Sequence, residues 1–307
     1  MERSSSILSV DDLVIAFNMY GKGFKKKDLE VIHKLSLEVH QGEIVAVVGS
    51  SGSGKSLLAH AILNLLPKNA KTSGHISYKG QKLDAKVCDK LLGREIAFIP
   101  QSVDYLDPLM KVEKQVMGIF STKERVNELF ERYELDSNTG QKYPFQLSGG
   151  MARRVLISSA VTQNPDLIIA DEPTPGLNIE MAMETLNHFR ELADSGTAVL
   201  MITHDIDLAL HVADRIAVFY AGTIVETAPT ADFLVGKEAL RHPYSKAFIE
   251  ALPQNEFRPL PGSQPYAGNL PSGCLFADRC PYKNEGCIKD IAMRSVRGGN
   301  VRCNHAT

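Results

Sequence analysis

Three early stretches of the chain, "ILSVDDLVIAF" (7–17), "HKLSLEV" (33–39) and "HISYKG" (75–80), alternate apolar and polar positions, the period-two pattern of half-exposed antiparallel strands. A second pattern governs "EIVAVVG" (43–49), "LIIAD" (167–171) and "AVLMITH" (198–204). These are nearly continuous apolar runs, as strands covered on both faces of a parallel sheet read. "EIAFIPQ" (95–101) and "RIAVFYAG" (215–222) complete the strand-like stretches. Helical patterns follow the buried strands in "SLLAHAILNLL" (56–66), "GGMARRVLISSAVTQN" (149–164) before Pro165, and "IEMAMETLNHFRELADS" (179–195), which Gly196 closes as a C-cap.

Strand followed by helix predicts an α/β fold with a mixed, mainly parallel core sheet and an antiparallel β subdomain. Between Gln101 and Ser148 the strand signal stops, and charged stretches such as "STKERVNELFERYEL" (121–135) predict a helical subdomain over about 102–148. From about residue 236 the pattern changes again. "RHPYSKAFIEALP" reads as a helix, and a Pro/Gly-rich stretch, 253–273, leads into a group of cysteines. The expected division is therefore a main domain over 1–235 and an extension over 236–307.

Composition narrows the function. A chain of 307 residues with 44% hydrophobic content can bury a substantial core. Lys and Arg number 34 against 36 Asp and Glu, a formal charge of −2, so no basic field recommends nucleic acid as a partner. The N-terminal "MERSSSILSVDDLV" lacks a secretory layout, and no apolar run approaches the roughly 20 residues that cross a bilayer. These features lead us to expect a cytosolic protein, in which clustered cysteines read more readily as a metal site than as a disulfide framework.

"GSSGSGKS" (49–56) matches G-x-x-x-x-G-K-[ST] between a buried strand and a helix. Gly49, Ser50, Ser51, Gly52, Ser53, Gly54, Lys55, Ser56 and Leu57 are the candidate nucleotide-binding residues. In such a loop backbone N–H groups wrap a phosphate chain, Lys55 reaches the β/γ-phosphates and Ser56 ligates Mg²⁺. "LIIADEPT" (167–174) is an apolar strand ending in two acids, with Asp171 assigned to the Mg²⁺ shell and Glu172 to polarising the attacking water.

"FQLSGGMARR" (145–154) resembles the signature motif of ABC-type ATPases, with Ser148, Gly149 and Gly150 opening a helix whose N-terminus receives an anion. The resemblance implies that this anion is the γ-phosphate on a second subunit's phosphate loop, so that the ATPase works as a dimer. It further implies that Gln101 ("FIPQ") reaches the metal or lytic water and senses a membrane partner, that His204 ("AVLMITH") contacts the γ-phosphate, and that Phe17 stacks on adenine, with nearby Tyr20 or a plain core role for Phe17 as the alternatives. Two positions depart from the family pattern. The segment after "DEPT" reads "PGLN" (175–178) where S-A-L-D is usual, and Met151 stands where many members have Gln, a choice familiar in the peptide and nickel branch.

Beyond the cassette, "RHPYSKAFIEALP", "RPLPGSQP", "LPSGCLFADRCPYKNEGC" and "VRCNH" resemble the C-terminal extension of oligopeptide, dipeptide and nickel importer ATPases. That resemblance implies a peripheral subunit on the cytoplasmic face of the cell membrane, docked on two permease subunits served by an external solute-binding protein. Importers of this branch commonly pair two distinct cassettes, so a heterodimer is expected ahead of a homodimer. The alternatives are a soluble ABC ATPase acting on a nucleic-acid machine, for which neither a second cassette nor a long coiled-coil insertion is visible, and a module that binds ATP without hydrolysing it, against which Glu172 and His204 argue.

Cys274, Cys280, Cys287 and Cys303 are separated by five, six and fifteen residues, without the short C-x₂₋₄-C knuckles of structural zinc. Four thiolates match an iron–sulfur ligand count, and Pro281 suits a loop bending around a cluster. Zinc, an adventitious disulfide and four unconnected thiols are the competing readings. Similar cysteines in the importer family are associated with a [4Fe–4S] cluster, so the resemblance implies one here. Such a site is expected to order the apolar-poor extension and, being distant in sequence from the ATP motifs, to affect the C-terminus or partner docking before nucleotide binding. Cys88 is set aside as an ordinary thiol.

Overall fold

The computed structural model describes residues 6–20, 26–119, 121–255 and 257–306. Its strands are β1 (Ser6–Tyr20), β2 (Lys26–His40), β3 (Ile44–Val48), β4 (Ala70–Tyr78), β5 (Gln81–Lys82), β6 (Ile96–Ile99), β7 (Leu167–Asp171), β8 (Ala198–Thr203), β9 (Arg215–Tyr220), β10 (Thr223–Pro229), β11 (Arg294–Val296) and β12 (Gly299–Val301). Its α-helices are α1 (Lys55–Ile62), α2 (Ala85–Leu91), α3 (Val112–Met117), α4 (Lys123–Arg132), α5 (Gly149–Val161), α6 (Ile179–Asp194), α7 (Ile206–Val212), α8 (Thr230–Val235) and α9 (Pro243–Glu250). The chain divides into two compact units.

One unit takes in Val39–Ile44 and Leu83–Thr203, with the chain up to Ile7. At its centre β6, β7 and β8 run parallel, in register from Ile96↔Leu167 to Ile99↔Ala170 and from Leu167↔Ala198 to Asp171↔Ile202. Every residue of β7 and β8 is buried, as their continuous apolar runs require. Helix α5 packs on β6 and α6 on β8. Asn178 caps α6 at its start, and Gly196, at φ +111°, follows its end in a conformation that favours glycine. Between Gln101 and Ser148, α3 and α4 pack on each other and on α5, with Val126, Leu129 and Phe130 forming the buried stripe of α4.

The other unit takes in Leu8–Glu38, Val45–Lys82 and His204–Thr307. It contains the four-stranded antiparallel sheet β2-β1-β4-β5, in which the alternating early segments lie. It also contains the parallel pair β3 and β9, continued antiparallel by β10, β12 and β11. Strand β10 escaped the sequence reading because Glu226 interrupts its apolar pattern. That carboxylate is fully buried and satisfied by the Arg241 guanidinium and by the N–H groups of Arg241 and His242. Hairpin β11–β12, formed by the last residues of the extension, pairs with β10 through Glu226↔Val301. Among the described residues no helix is long and apolar enough to cross a membrane.

Candidate active site

The phosphate loop follows β3, whose five residues are all buried. A Cβ on Gly49 would stand 2.5 Å from the Phe219 carbonyl oxygen, so this position admits only glycine without a shift of backbone. Gly54 adopts φ +103° and opens α1 with no capping side chain and no acid in the first turn, leaving the helix's first N–H groups to an anion. Lys55 is buried and donates from Nζ to the carbonyl oxygens of Gly49 at 2.8 Å and Ser50 at 3.0 Å. Beside it Ser53 Oγ is buried with no hydrogen-bond partner among the described residues, a hydroxyl that a phosphate oxygen would satisfy. Ser50, Ser51 and Gly52 are exposed, whereas Ser56 and Leu57 are half-buried. In the same unit Phe17 is half-buried on β1 opposite Ala70, and His204 is exposed immediately after β8.

The other unit gathers a different set of groups at the C-terminal ends of its parallel strands. Because Ile99 pairs with Ala170, the residues that follow, Pro100–Gln101 and Asp171–Glu172, leave neighbouring strands side by side. Asp171 and Glu172 are both buried, and Glu172 adopts φ +49° while its N–H donates to the Ile202 carbonyl at 2.8 Å. A glutamate in the left-handed region costs about 1 kcal/mol or more, strain that accumulates at functional sites. Gln101 itself is exposed.

Helix α5 begins at Ser148, whose Oγ accepts from the Met151 N–H at 3.3 Å. A Cβ on Gly150 would lie 3.1 Å from the Gly176 carbonyl, so the signature helix and the "PGLN" segment meet closely. Gly176 adopts φ +84°, and Asn178 Oδ1 accepts from the Met181 N–H at 2.8 Å to cap α6. An aspartate at 178 could make the same cap, so the departure from S-A-L-D changes charge at this position without removing the helix start.

Two arginines at this site were not singled out from sequence. Arg153 is buried and donates to the carbonyl oxygens of Pro100, at 2.5 Å, and Gln101. Arg154 donates to the carbonyls of Tyr133 and Glu134 at 2.9 and 2.8 Å, tying α5 to the end of α4. Their one visible signal is the pair itself, directly after "LSGGMA" on a helix that buries most of its residues.

In the extension Cys287 and Cys303 are buried, Cys274 and Cys280 half-buried, and all four are free thiols. Burial pushes the Cys274 thiol up to about 11, with the other three sulfurs adding to the rise, so the four share one electrostatic neighbourhood. Burial also raises Cys280 and Cys303, while N–H groups of Tyr282 at the first and of His305 and Ala306 at the second act in the opposite direction. Among the described residues, however, no three of His, Cys, Asp and Glu are placed as a ligand set for a metal ion.

The extension makes contacts that its sequence did not show. Its Phe276 and Tyr244 form an aromatic group with Tyr220 of β9, with centroids 4.4 to 5.4 Å apart, and its Arg241 is buried in a network of carboxylates and carbonyls. Far in sequence from the ATP motifs, it meets them in space at one exposed contact, where Gln264 Oε1 accepts from Ser50 Oγ of the phosphate loop at 3.3 Å. Arg279 holds that arm by donating to the Leu260 and Pro261 carbonyls, and also reaches Tyr220 Oη.

The family described as ABC transporter matches residues 32–175, and that described as oligopeptide/dipeptide transporter, C-terminal region, matches residues 225–287. The oligopeptide transport ATP-binding protein OppD of Bacillus subtilis (strain 168) is 34% identical over 92% of this chain and 83% of its own length. The dipeptide transport ATP-binding protein DppD of Escherichia coli (strain K12) is 33% identical over 96% of this chain and 94% of its own. Among solved structures, the dimeric ATP-binding cassette MJ0796 in a post-hydrolysis state bound to ADP and Pi superposes with a TM-score of 0.65 at 26% identity, covering 73% of this chain and 98% of that one.

Proposed function

This chain belongs to the ATP-binding subunits of ABC transporters, in the oligopeptide/dipeptide branch, and from that premise we propose that it hydrolyses ATP to drive import of a peptide-class solute. The observation that carries the reading is the buried Glu172, held at positive φ just past the end of a parallel strand whose neighbour leads into Gln101. A carboxylate fixed in that way can accept a hydrogen bond from water and direct its oxygen at a γ-phosphate. Attack forms the new P–O bond, breaks the bond to the ADP oxygen and transfers the water proton to the carboxylate or phosphate.

ATP and Mg²⁺ fit the residues present. The unsatisfied Ser53 hydroxyl, the narrow Gly49 cradle and the uncapped start of α1 suit phosphate oxygens. Ser56, Gln101 and Asp171 would hold the cation, which supplies charge neutralisation when bound. Lys55 serves the β/γ-phosphates, His204 the γ-phosphate and Phe17 the adenine. Ser148, Gly149 and Gly150 serve the nucleotide of a partner cassette, itself a distinct chain. A [4Fe–4S] cluster on Cys274, Cys280, Cys287 and Cys303, in an extension beginning near residue 236, rests on the family resemblance alone, since the described residues do not place these thiols as a ligand set.

Docking on two permease subunits at the cytoplasmic membrane face is supported by the segment beyond Gln101, which exposes Tyr105, Leu109 and Ile119, the last two at 86%. A solute-binding protein acts on the far side of the membrane. Nickel chelates remain within the solute class of the branch. Glu172→Gln, assayed with the partner subunits, should bind ATP as the wild type does and lose turnover by about 10²- to 10⁴-fold. Full turnover in that variant would sink the assignment.

A further inference from the structure

Building on the ATPase reading above, we infer that Arg153 is a positioning residue for hydrolysis, fastening the Gln101 loop to the helix that Ser148 opens. Arg153 lies on α5, five residues after the Ser148 cap, and is 4% exposed. One guanidinium nitrogen donates to the Pro100 carbonyl at 2.5 Å and the other to the Gln101 carbonyl. Both carbonyls lie just past the end of β6, where the ladder to β7 has stopped, and Pro100 has no N–H of its own to offer. The arginine therefore supplies the partners that the strand no longer does.

The acceptors of this buried cation at Pro100 and Gln101 are carbonyl oxygens, which leave its charge without direct neutralisation by them. Burial pushes its pKa down, and the charges of Asp171 first and Glu172 second act in the opposite direction. A single side chain thus joins the Gln101 backbone to the signature helix. A buried charge is expensive to keep, and a methionine of similar length would fill the same space without desolvation. What methionine cannot do is fix two successive carbonyls with one planar fork, which sets the direction in which Gln101 leaves the strand. When the Ser148 end of α5 moves on engaging a nucleotide, the Gln101 backbone must move with it.

The test uses Arg153→Lys and Arg153→Gln in the full-length chain, assembled with its partner subunits. Lysine keeps the charge as a point donor, and glutamine keeps one planar donor without charge. For both, the Kd for ATP should stay within about twofold, since the loop that binds phosphate lies elsewhere in the chain, while kcat falls about 10- to 100-fold. The Mg²⁺ concentration for half-maximal rate should rise as Gln101 loses its orientation. A merely structural role predicts instead a lower melting temperature, with kcat following the folded fraction and the Mg²⁺ dependence unchanged. That pattern, wild-type kinetics in a folded lysine variant, or failure of both variants to fold would overturn the inference. A wild-type chain without ATPase activity would instead sink the functional reading on which it rests.

Discussion

Replacing Arg241 by methionine should loosen the C-terminal extension by about 3 kcal/mol. The side chain is 1% exposed and faces Glu226, which is 0% exposed. It donates to Glu226 Oε1 at 3.3 Å, to Asp232 Oδ2 at 2.7 Å, to the Val296 carbonyl at 2.6 Å and to the Arg297 carbonyl. One guanidinium therefore ties β10, α8 and hairpin β11–β12 together. Removing one partner of a buried pair costs about 3 to 5 kcal/mol, chiefly because the other charge is left in the interior. Here the loss belongs at the low end. Glu226 keeps the N–H groups of Arg241 and His242 at 2.9 and 2.8 Å, and Asp232, at 26% exposure, can turn to water.

The assay is urea denaturation of the full-length chain, with alkylation of Cys287 and Cys303 as a local probe, since both thiols are buried. A loss of about 3 kcal/mol in local opening corresponds to alkylation roughly 10²-fold faster. The double variant Glu226→Gln/Arg241→Met removes the stranded charge and should recover about 1 kcal/mol or more. If Arg241→Met leaves both thiols protected at the wild-type rate, this network does not hold the extension, and the cysteines or the aromatic group must do so.

Burial pushes His188, which is bonded to Tyr133 Oη, down to about 4, below its unfolded value of about 6.5. The unfolded chain therefore takes up the proton first, so stability is whole above about pH 6.5 and falls between there and pH 4. His188→Asn should flatten that part of the urea-midpoint profile, leaving His242, pushed to about 3 by burial, to account for a remaining slope. In the phosphate loop, Gly49→Ala drives a Cβ to 2.5 Å from the Phe219 carbonyl and should cost about 1 to 3 kcal/mol of ATP binding by calorimetry. Gly52→Ala, in open space at φ +72°, should cost about 1 kcal/mol, and equal effects would contradict the cradle geometry. Gln264→Ala frees the Ser50 hydroxyl and should tighten ATP binding about 2- to 10-fold with no change in melting temperature. An unchanged Kd would remove the extension from the nucleotide site.

What could be read from sequence follows from how locally each feature is determined. The buried run of β7 was placed at 167–171 and occupies Leu167–Asp171, because a strand covered on both faces needs no tertiary partner to identify it. Gly49 could be recognised for a similar reason, since its role depends on a backbone approach that no other residue allows. Strand β10 was hidden by Glu226, whose charge makes sense only once Arg241, fifteen positions away, is known to face it. The strands of hairpin β11–β12 are three residues each, too short for periodicity to register. Arg153 was hidden for the opposite reason. An arginine on a helix reads as a solvated surface residue until the carbonyls of Pro100 and Gln101 are found beneath it.

The path from the cysteines to the phosphate loop could not be read from sequence, and it changes what the extension can do. Cys280 follows Arg279, whose guanidinium grips the Leu260 and Pro261 carbonyls and reaches Tyr220 Oη. Phe219, the neighbour of Tyr220, is the residue whose backbone leaves Gly49 no room for a side chain. Three residues beyond Pro261, Gln264 accepts from Ser50. Two routes of contact thus run from the neighbour of Cys280 to the phosphate loop, one through Tyr220 and Phe219 and one through the arm that carries Gln264. If these contacts couple the two regions, the state of the thiols and the grip on ATP share one free energy. Oxidising or alkylating the four cysteines should then alter nucleotide affinity along with the order of the C-terminus, and the effect on affinity should shrink in Gln264→Ala.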